Sequence, residues 1–540
     1  MNVEQAGRDQ GLIGRIGEAR LNRRQLLRLA AGAASVAVTG AFVPLLQGCN
    51  LVGQTQSDEL VMIQGQSTTS LDPQENGGTG IESILRHTFE TLVVLDNDLK
   101  TWKPGLAKSW KRLDDLTTQF KLQEGVKFHN GEDFDAEAVK YSMERFKKPE
   151  TKSSLAAFYK NIIRADVVDK YTVNIVTEKP DPIIVNKMSG FATNIMPPKY
   201  TEEKGKDYVS SNPVGTGPYK FVSWVRDGDL VLEANPNYWG EKPKVKRVRF
   251  KFATEAATRV AALKSGEVHV CIGVPLDEIN SINSGGKARV ASLASNRAIY
   301  YGFTCDKPPT DNKLVRQAIC YGVDVDGIIK NVLQGIPKRM NGLVVSYHFG
   351  YDPDLKPYPY DPEKCRALLK EAGYPDGLDL NINFFTGRYA KDVEIAQAMA
   401  GSLAVGGVRA KARPFEQGVW TQKNNACDHD GLVFLGWGNW MMDAANILDV
   451  QPTRKWGKPF CTAGSSYKND EVDRLIDEAG TTLDEAKRLA NYKKAQEIMY
   501  DEAPYLPLFQ LAEAYGISNR VEWTPRADEM VWAHQMAFKS

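Results

Sequence analysis

Between Leu116 and Leu122 apolar and polar side chains alternate, the period of a strand with one buried face. From Ala136 onward the period changes. Ala136, Val139, Met143 and Phe146 recur at the spacing of one helical face, Asp135 stands at the N-cap position, and Glu137 places negative charge in the first turn. Gly125 and the Asn130-Gly131 pair supply the turns between the two elements, and the stretch before them, ending at Trp110, reads as a surface segment. The same reading puts strands at Leu60–Gln64, Tyr171–Thr177, Lys220–Trp224 and Val268–Ile272, and helices at Ile81–Glu90 and Ala256–Gly266. Beyond Asp361, helix and strand alternate. A helix opens at Pro362 and closes at Gly373, strand Asp379–Phe385 follows, then a helix to Leu403, strand Val408–Ala412, and helices Glu471–Ala479 and Asp484–Met499. That alternation predicts an α/β fold with mainly parallel sheets and a ligand at strand ends.

Composition narrows the class. The chain of 540 residues is 42% hydrophobic and 25% charged, enough for two or more cores at roughly 100–200 residues per domain. Residues 1–48 hold six Arg and three acidic residues, which leaves 62 basic against 64 acidic side chains in the remainder. A near-neutral body has no electrostatic reason to bind nucleic acid. The first 48 residues read as an export signal. Asn22-Arg23-Arg24-Gln25-Leu26-Leu27-Arg28 resembles a twin-arginine motif, and Leu46-Gln47-Gly48-Cys49 resembles a lipobox that would lipidate Cys49 and leave 49–57 as a tether. A transmembrane anchor of about 18 residues is the competing reading, diluted by Gly32, Ser35, Thr39, Gly40 and Pro44. Six further cysteines allow one or two disulfides, with Cys427–Cys461 favoured and Cys320 expected as a buried thiol.

Three motifs carry a family resemblance: "LAKSW" followed by "LQEGVKFHNGEDFDAEAVKYSMERF" in residues 106–146, "NPVGTGPY" at 212–219, and Asp311-Asn312 to Ala318-Ile319. Together they are similar to solute-binding protein family 5, the peptide, opine and nickel class of ABC importer subunits. The resemblance implies a two-lobe periplasmic-binding-protein-like fold with a hinge. Lobe I would span 58–305 with a subdomain of about 97–210 inserted, lobe II 306–504, and 505–540 would return to lobe I. It implies a monomer that binds a peptide or small solute and hands it to permease and ATPase subunits, without cofactor. The Gly/Pro turn at 212–218 is read as architecture demanding special backbone angles, and Arg316 as a structural ion-pair residue.

Candidate ligand contacts come from two places. Gly431–Asp443 is an apolar strand running into a loop with Trp437, Trp440 and Asp443, an aromatic floor with one charged anchor. Dipeptide-binding relatives place an Asp where Trp440 stands here, which points away from a standard dipeptide. Arg388, after strand Asp379–Phe385, resembles the family Arg that pairs with a ligand carboxylate, a bidentate geometry that suits Arg over Lys. No nucleophile elbow, His-Glu-x-x-His or Walker motif is present, so catalysis is not expected. Cys427-Asp428-His429-Asp430 lacks a second ligand pair at zinc-like spacing, so no metal site is expected. An oligosaccharide or metal-chelate ligand, a sensor or chaperone, and a hydrolase on the same scaffold are the alternatives.

Overall fold

The protein is described by a computed structural model over residues 59–449 and 466–540, apart from Asn76, Asp227 and Arg388. The expected signal, Cys49, Arg388 and Cys461 therefore lie outside the described residues. The strands are β1 (Glu59–Gln64), β2 (Val93–Leu95), β3 (Trp102–Pro104), β4 (Ala107–Arg112), β5 (Thr117–Leu122), β6 (Ile162–Asp169), β7 (Thr172–Thr177), β8 (Tyr219–Trp224), β9 (Leu230–Ala234) and β10 (Arg247–Phe252). They continue as β11 (Val270–Ile272), β12 (Ala288–Phe303), β13 (Lys338–Arg339), β14 (Leu378–Phe385), β15 (Val408–Phe415), β16 (Leu432–Gly438), β17 (Tyr505–Ser518), β18 (Val521–Glu522) and β19 (Ala537–Phe538).

One sheet runs β15-β14-β16-β12-β17-β11-β1-β10-β9-β8, with β13 pairing on β17. A separate sheet, β4-β5-β7-β6, carries helix Ala136–Arg145. The large sheet is mixed, which corrects the expectation of mainly parallel pairing. β1 pairs parallel with β10 and β11, and β14 with β15 and β16, but β12 pairs antiparallel with both β16 and β17. Pairing direction follows the route of the chain between strands, which local periodicity does not carry. β12, at 16 residues, and β17, at 14, run as opposed neighbours in the middle of the sheet and join its two halves. Residues 295–303 of β12 are all buried, as a strand covered on both faces should be.

Local signals hold where the chain is locally determined. Asp135 accepts hydrogen bonds from Glu137 N at 3.0 Å and Ala138 N at 3.3 Å, and Ala136, Val139, Met143 and Phe146 are buried. The segment ending at Trp110 belongs to β4, an edge strand that pairs with β5 and is mostly exposed. Among the described residues Arg316, which is buried, makes no ion pair. Its guanidinium donates to the carbonyls of Thr310, Asp311, Glu502 and Ala503, tying a helix start to a helix end. In the 212–218 turn, glycine is required by close approach rather than by backbone angle. A Cβ on Gly215 would lie 2.1 Å from Thr88 O, and one on Gly217 would lie 2.6 Å from His87 O.

His87 fastens the C-terminal segment to this region. Its Nδ1 lies 3.0 Å from Ser83 O and 3.1 Å from Ile84 O and so carries the proton, while Nε2 accepts from Ala533 N–H at 2.9 Å. The imidazole is held neutral, and burial, reinforced by His534, lowers its pKa from 6.5 to about 3. The unfolded chain takes up this proton below about pH 6.5, the folded chain only near pH 3, so this stabilisation is complete above that window and is lost as pH falls through it. Urea unfolding should therefore show a lower midpoint at about pH 4.5 than at about pH 7. His87→Phe should cost about 1–3 kcal/mol at neutral pH by leaving Ala533 N–H unpaired, and should flatten the acid loss. An unchanged acid slope in that variant would assign the effect to other groups.

Candidate functional site

The site is organised by a break in the sheet. β12 and β17 are in register at Ala294↔Ala512 and again at Ala298↔Gln510, so Ser295, Asn296 and Arg297 oppose Leu511 alone. Such a bulge bends the strand and re-aims its side chains. Ser295 Oγ donates to Glu529 Oε1 at 3.0 Å and accepts from Arg297 N at 3.1 Å. Asn296 N donates to Ala527 O at 2.7 Å, and its Nδ2 donates to Asn439 O at 3.0 Å. The bulge thus joins the C-terminal loop to the loop after β16.

Arg297 is the buried charge of this junction. Its Nε and Nη2 donate to both carboxylate oxygens of Glu529 at 2.6–3.2 Å, and Nη2 also donates to Thr79 Oγ1 at 3.0 Å. Burial pushes the guanidinium pKa down, but Glu529, Tyr389 and Glu513 together outweigh it and the net shift is upward. β16 accommodates the guanidinium by presenting no side chain. A Cβ on Gly438 would lie 2.8 Å from Arg297 Nη2, and one on Gly436 would lie 2.2 Å from the Tyr389 hydroxyl. The Gly-Trp-Gly pattern is therefore two bare positions on one face and Trp437 on the other.

Trp437 and Trp440 come together, with ring centroids 5.9 Å apart. Trp440 stacks on Phe191 at 5.1 Å and 12°, and Phe158 meets it edge-on at 5.1 Å and 74°. Trp437 donates from Nε1 to Asn446 Oδ1 at 3.0 Å. Beside this cluster a cavity of about 40 Å³ is lined by Trp440, Phe191, Met442, Trp532, Arg86 and Asp528. On the other side of the crossing strands lies a cleft of about 440 Å³, lined by Arg259, Gly387, Tyr389, Asp392 and Glu513 and bridged by Lys391 to Asp277 at 3.4 Å. Its size is in the range of small-molecule sites. Arg388 itself lies outside the described residues, but both of its chain neighbours line this cleft.

Asp443 corrects the sequence expectation of an anchor open to ligand. It is 1% exposed, both carboxylate oxygens accept from Arg488 Nη2 at 3.0 and 2.9 Å, and Oδ1 also accepts from Ala445 N at 3.0 Å. Burial raises its pKa, opposed by Arg488. Its charge is spent on Arg488. At the Cys427–Asp430 cluster, Cys427 is disulfide-bonded, Asp428 pairs with Lys423 at 2.6 Å, and the His429 ring lies 4.5 Å from Trp420. Arg297, Asn296, Tyr389 and Glu529 were missed by sequence reasoning. The two glycines of 436–438 were the visible signal, but what they make room for comes from 47 to 141 residues away in the chain.

Comparison with known proteins agrees with this architecture. The glutathione-binding protein GsiB of Salmonella paratyphi A is 29% identical over 462 residues, covering 83% of this chain and 88% of the relative. Among solved structures, the ABC transporter-associated periplasmic binding protein DppA of Helicobacter pylori, in complex with the peptide STSA, superposes with a TM-score of 0.79 at 27% identity, covering 89% of this chain and 98% of that one. The binding protein MoaA from A. tumefacien R10, in complex with mannopinic acid, gives 0.78 at 25% identity, covering 90% and 100%. The profile of the bacterial extracellular solute-binding proteins, family 5 (middle), matches residues 101–458, about two thirds of the chain, and with the two-lobed α/β fold this places the protein in that family.

Proposed function

We propose that this protein is the extracytoplasmic binding subunit of an ABC importer that takes up a peptide, or a peptide-like or opine-like solute. The observation that carries the reading is the junction at β12 and β17, where Arg297, Tyr389 and the Trp437–Trp440 wall meet beside clefts that residues of both halves of the sheet line. Residues 58–305 with 505–540 are assigned to lobe I, 306–504 to lobe II and about 97–210 to the inserted subdomain, in keeping with the central position of the two long strands. Solute that touches both lobes only when they are closed favours the closed form by its differential affinity, and the closed form is what the permease receives. No bond is made or broken. A twin-arginine signal, lipid at Cys49, a periplasmic location and action as a monomer complete the proposal. Relatives that bind glutathione, a peptide and mannopinic acid support the solute class.

Thermal unfolding of the full chain against di- to pentapeptides, glutathione, opines, oligosaccharides and nickel-histidine tests this. A true ligand at a hundredfold its Kd adds about 2.7 kcal/mol, and at least one peptide or opine should raise the midpoint, whereas shifts by sugars or chelates alone would overturn the solute class. Trp440→Ala should weaken that ligand tenfold or more, about 1.4 kcal/mol per decade. Asp443→Ala should behave differently: leaving Arg488 buried and unpaired costs about 3–5 kcal/mol of stability, with the order of ligand preference unchanged. A selective loss of ligand in Asp443→Ala without loss of stability would restore it as an anchor.

A further inference from the structure

The cavity beside the aromatic wall is small and offers a ligand no free charge. A water-sized group needs about 10–15 Å³ of such space, so its volume of about 40 Å³ admits about three, the heavy-atom count of an acetyl cap. Two charged side chains line it, Arg86 and Asp528, and the protein compensates both. The Arg86 guanidinium donates to Glu82 Oε1 at 2.5 Å, to Thr91 Oγ1 at 2.8 Å and to the carbonyls of Ser189 and Gly190 at 2.7 and 3.0 Å. Asp528 accepts from Arg526 Nη2 at 2.5 Å and Nε at 3.0 Å, and from Met530 N at 3.2 Å. Among the described lining residues, what remains for a ligand cation is neutral oxygen, which does not compensate a charge taken out of water. A ligand carboxylate fares no better, because Arg86 is already paired.

A second observation points to the neutral group that fits. Trp532 lines the same cavity, is 8% exposed, and its Nε1–H has no acceptor. A buried donor left unpaired is costly, and a ligand carbonyl would recover that cost. The ring is held by the Arg526 guanidinium, 4.4 Å from its centroid, and by His534, stacked at 5.5 Å and 21°. Arg526 thus already takes the cation–π attraction of this ring, and Phe191 covers a face of Trp440, so the wall is poorly placed to cage an ammonium group instead.

We propose that this cavity selects a neutral, acyl-capped end of the ligand: the cap's carbonyl accepts from Trp532 Nε1, its small apolar remainder packs among the lining rings, and a free ammonium end is rejected for want of a counter-charge. The preferred solute is accordingly an N-acylated peptide. The proposal deepens the reading of the protein as a peptide-class binding subunit and rests on it.

Titration calorimetry on the full chain with two pairs of probes tests this: Ala-Ala-Ala with N-acetyl-Ala-Ala-Ala, and glutathione with N-acetylglutathione. In a pair that binds, the acetylated member should bind about tenfold tighter or more at about pH 7. The amine of Ala-Ala-Ala titrates near pH 8, so at about pH 9 this peptide should bind severalfold tighter, while its acetylated partner, which has no such amine, should bind as before. Trp532→Phe keeps the ring and removes the N–H, and should cut the acetyl preference about fivefold. A preference untouched in that variant would overturn the assignment of the carbonyl to Trp532. Equal or tighter binding of the free-amine member would overturn the selection for a cap and leave the transport reading in place, as would binding of mannopinic acid with silence from all four peptides. Silence from every probe would sink the peptide-class reading and the proposal together.

Discussion

A guanidinium withdrawn from water costs several kcal/mol unless a counter-charge and further acceptors meet it with good geometry. Arg297 meets Glu529, which comes 232 residues later in the chain, and Thr79, 218 residues earlier. Much of the centre of the molecule can be understood as the means of bringing these three together. The bulge at 295–297 turns the side chain inward, Gly438 leaves the space it needs, and Ser295 orients Glu529. Glu529 itself sits at φ +63°, a backbone position costing about 1–2 kcal/mol for an L residue, and the ion pair is what holds it there. Sliding β16 along β12 by even one residue would drive a side chain into the guanidinium.

In the proposed division into two lobes this junction falls between them, where a binding protein must be both stiff and able to bend. β12 and β17 pair through the middle of the sheet on both sides of the bulge, and in the proposed two-lobe division any movement is absorbed in those strands and in the contacts that flank them. Those contacts are of two kinds. The Trp440–Phe191 stack and the bond from Asn186 Nδ2 to Met441 O at 2.7 Å join the subdomain to the loop after β16, and Lys391–Asp277 spans the opposite cleft. Lys391 is about a third exposed and Asp277 more than half, whereas Arg297 and Glu529 are nearly buried, so water screens the former pair far more. The fold thus separates a fixed centre from yielding margins.

Legibility in the sequence followed the range of the forces involved. Helix Ala136–Arg145, with its Asp135 cap, was readable because cap, period and turn lie within a dozen residues of one another; so was the helix that Asp484 caps through Lys487 N. Strand direction was not. Alternating helices and strands suggested parallel pairing, and nothing local announces that β12 and β17 are long enough to lie antiparallel through the sheet centre. Charged residues were misjudged for the same reason. Asp443 looked like an anchor because its neighbours are aromatic, but its partner Arg488 is 45 residues away, and Arg316 answers four carbonyls that no spacing rule reveals. That the two tryptophans come together was suggested by aromatic residues after a glycine in an apolar strand; Phe158 and Phe191, which complete the cluster, come from a different part of the chain.

The aromatic wall also constrains the selectivity this cleft can have. A carboxylate at the position of Trp440 would recognise an ammonium group by charge, and its hold would weaken with salt and with acid. A ring stacked on Phe191 recognises area and shape instead. Shape alone is a blunt criterion, since one methylene more or less in an apolar pocket is worth only about 1–3 kcal/mol. Sharper discrimination has to come from polar groups that are buried and would be left unpaired by the wrong solute. Beside this wall the Asn446 amide is a buried polar group of that kind: its Oδ1 accepts from Trp437 Nε1, which fixes its orientation, and its Nδ2 is left without an acceptor.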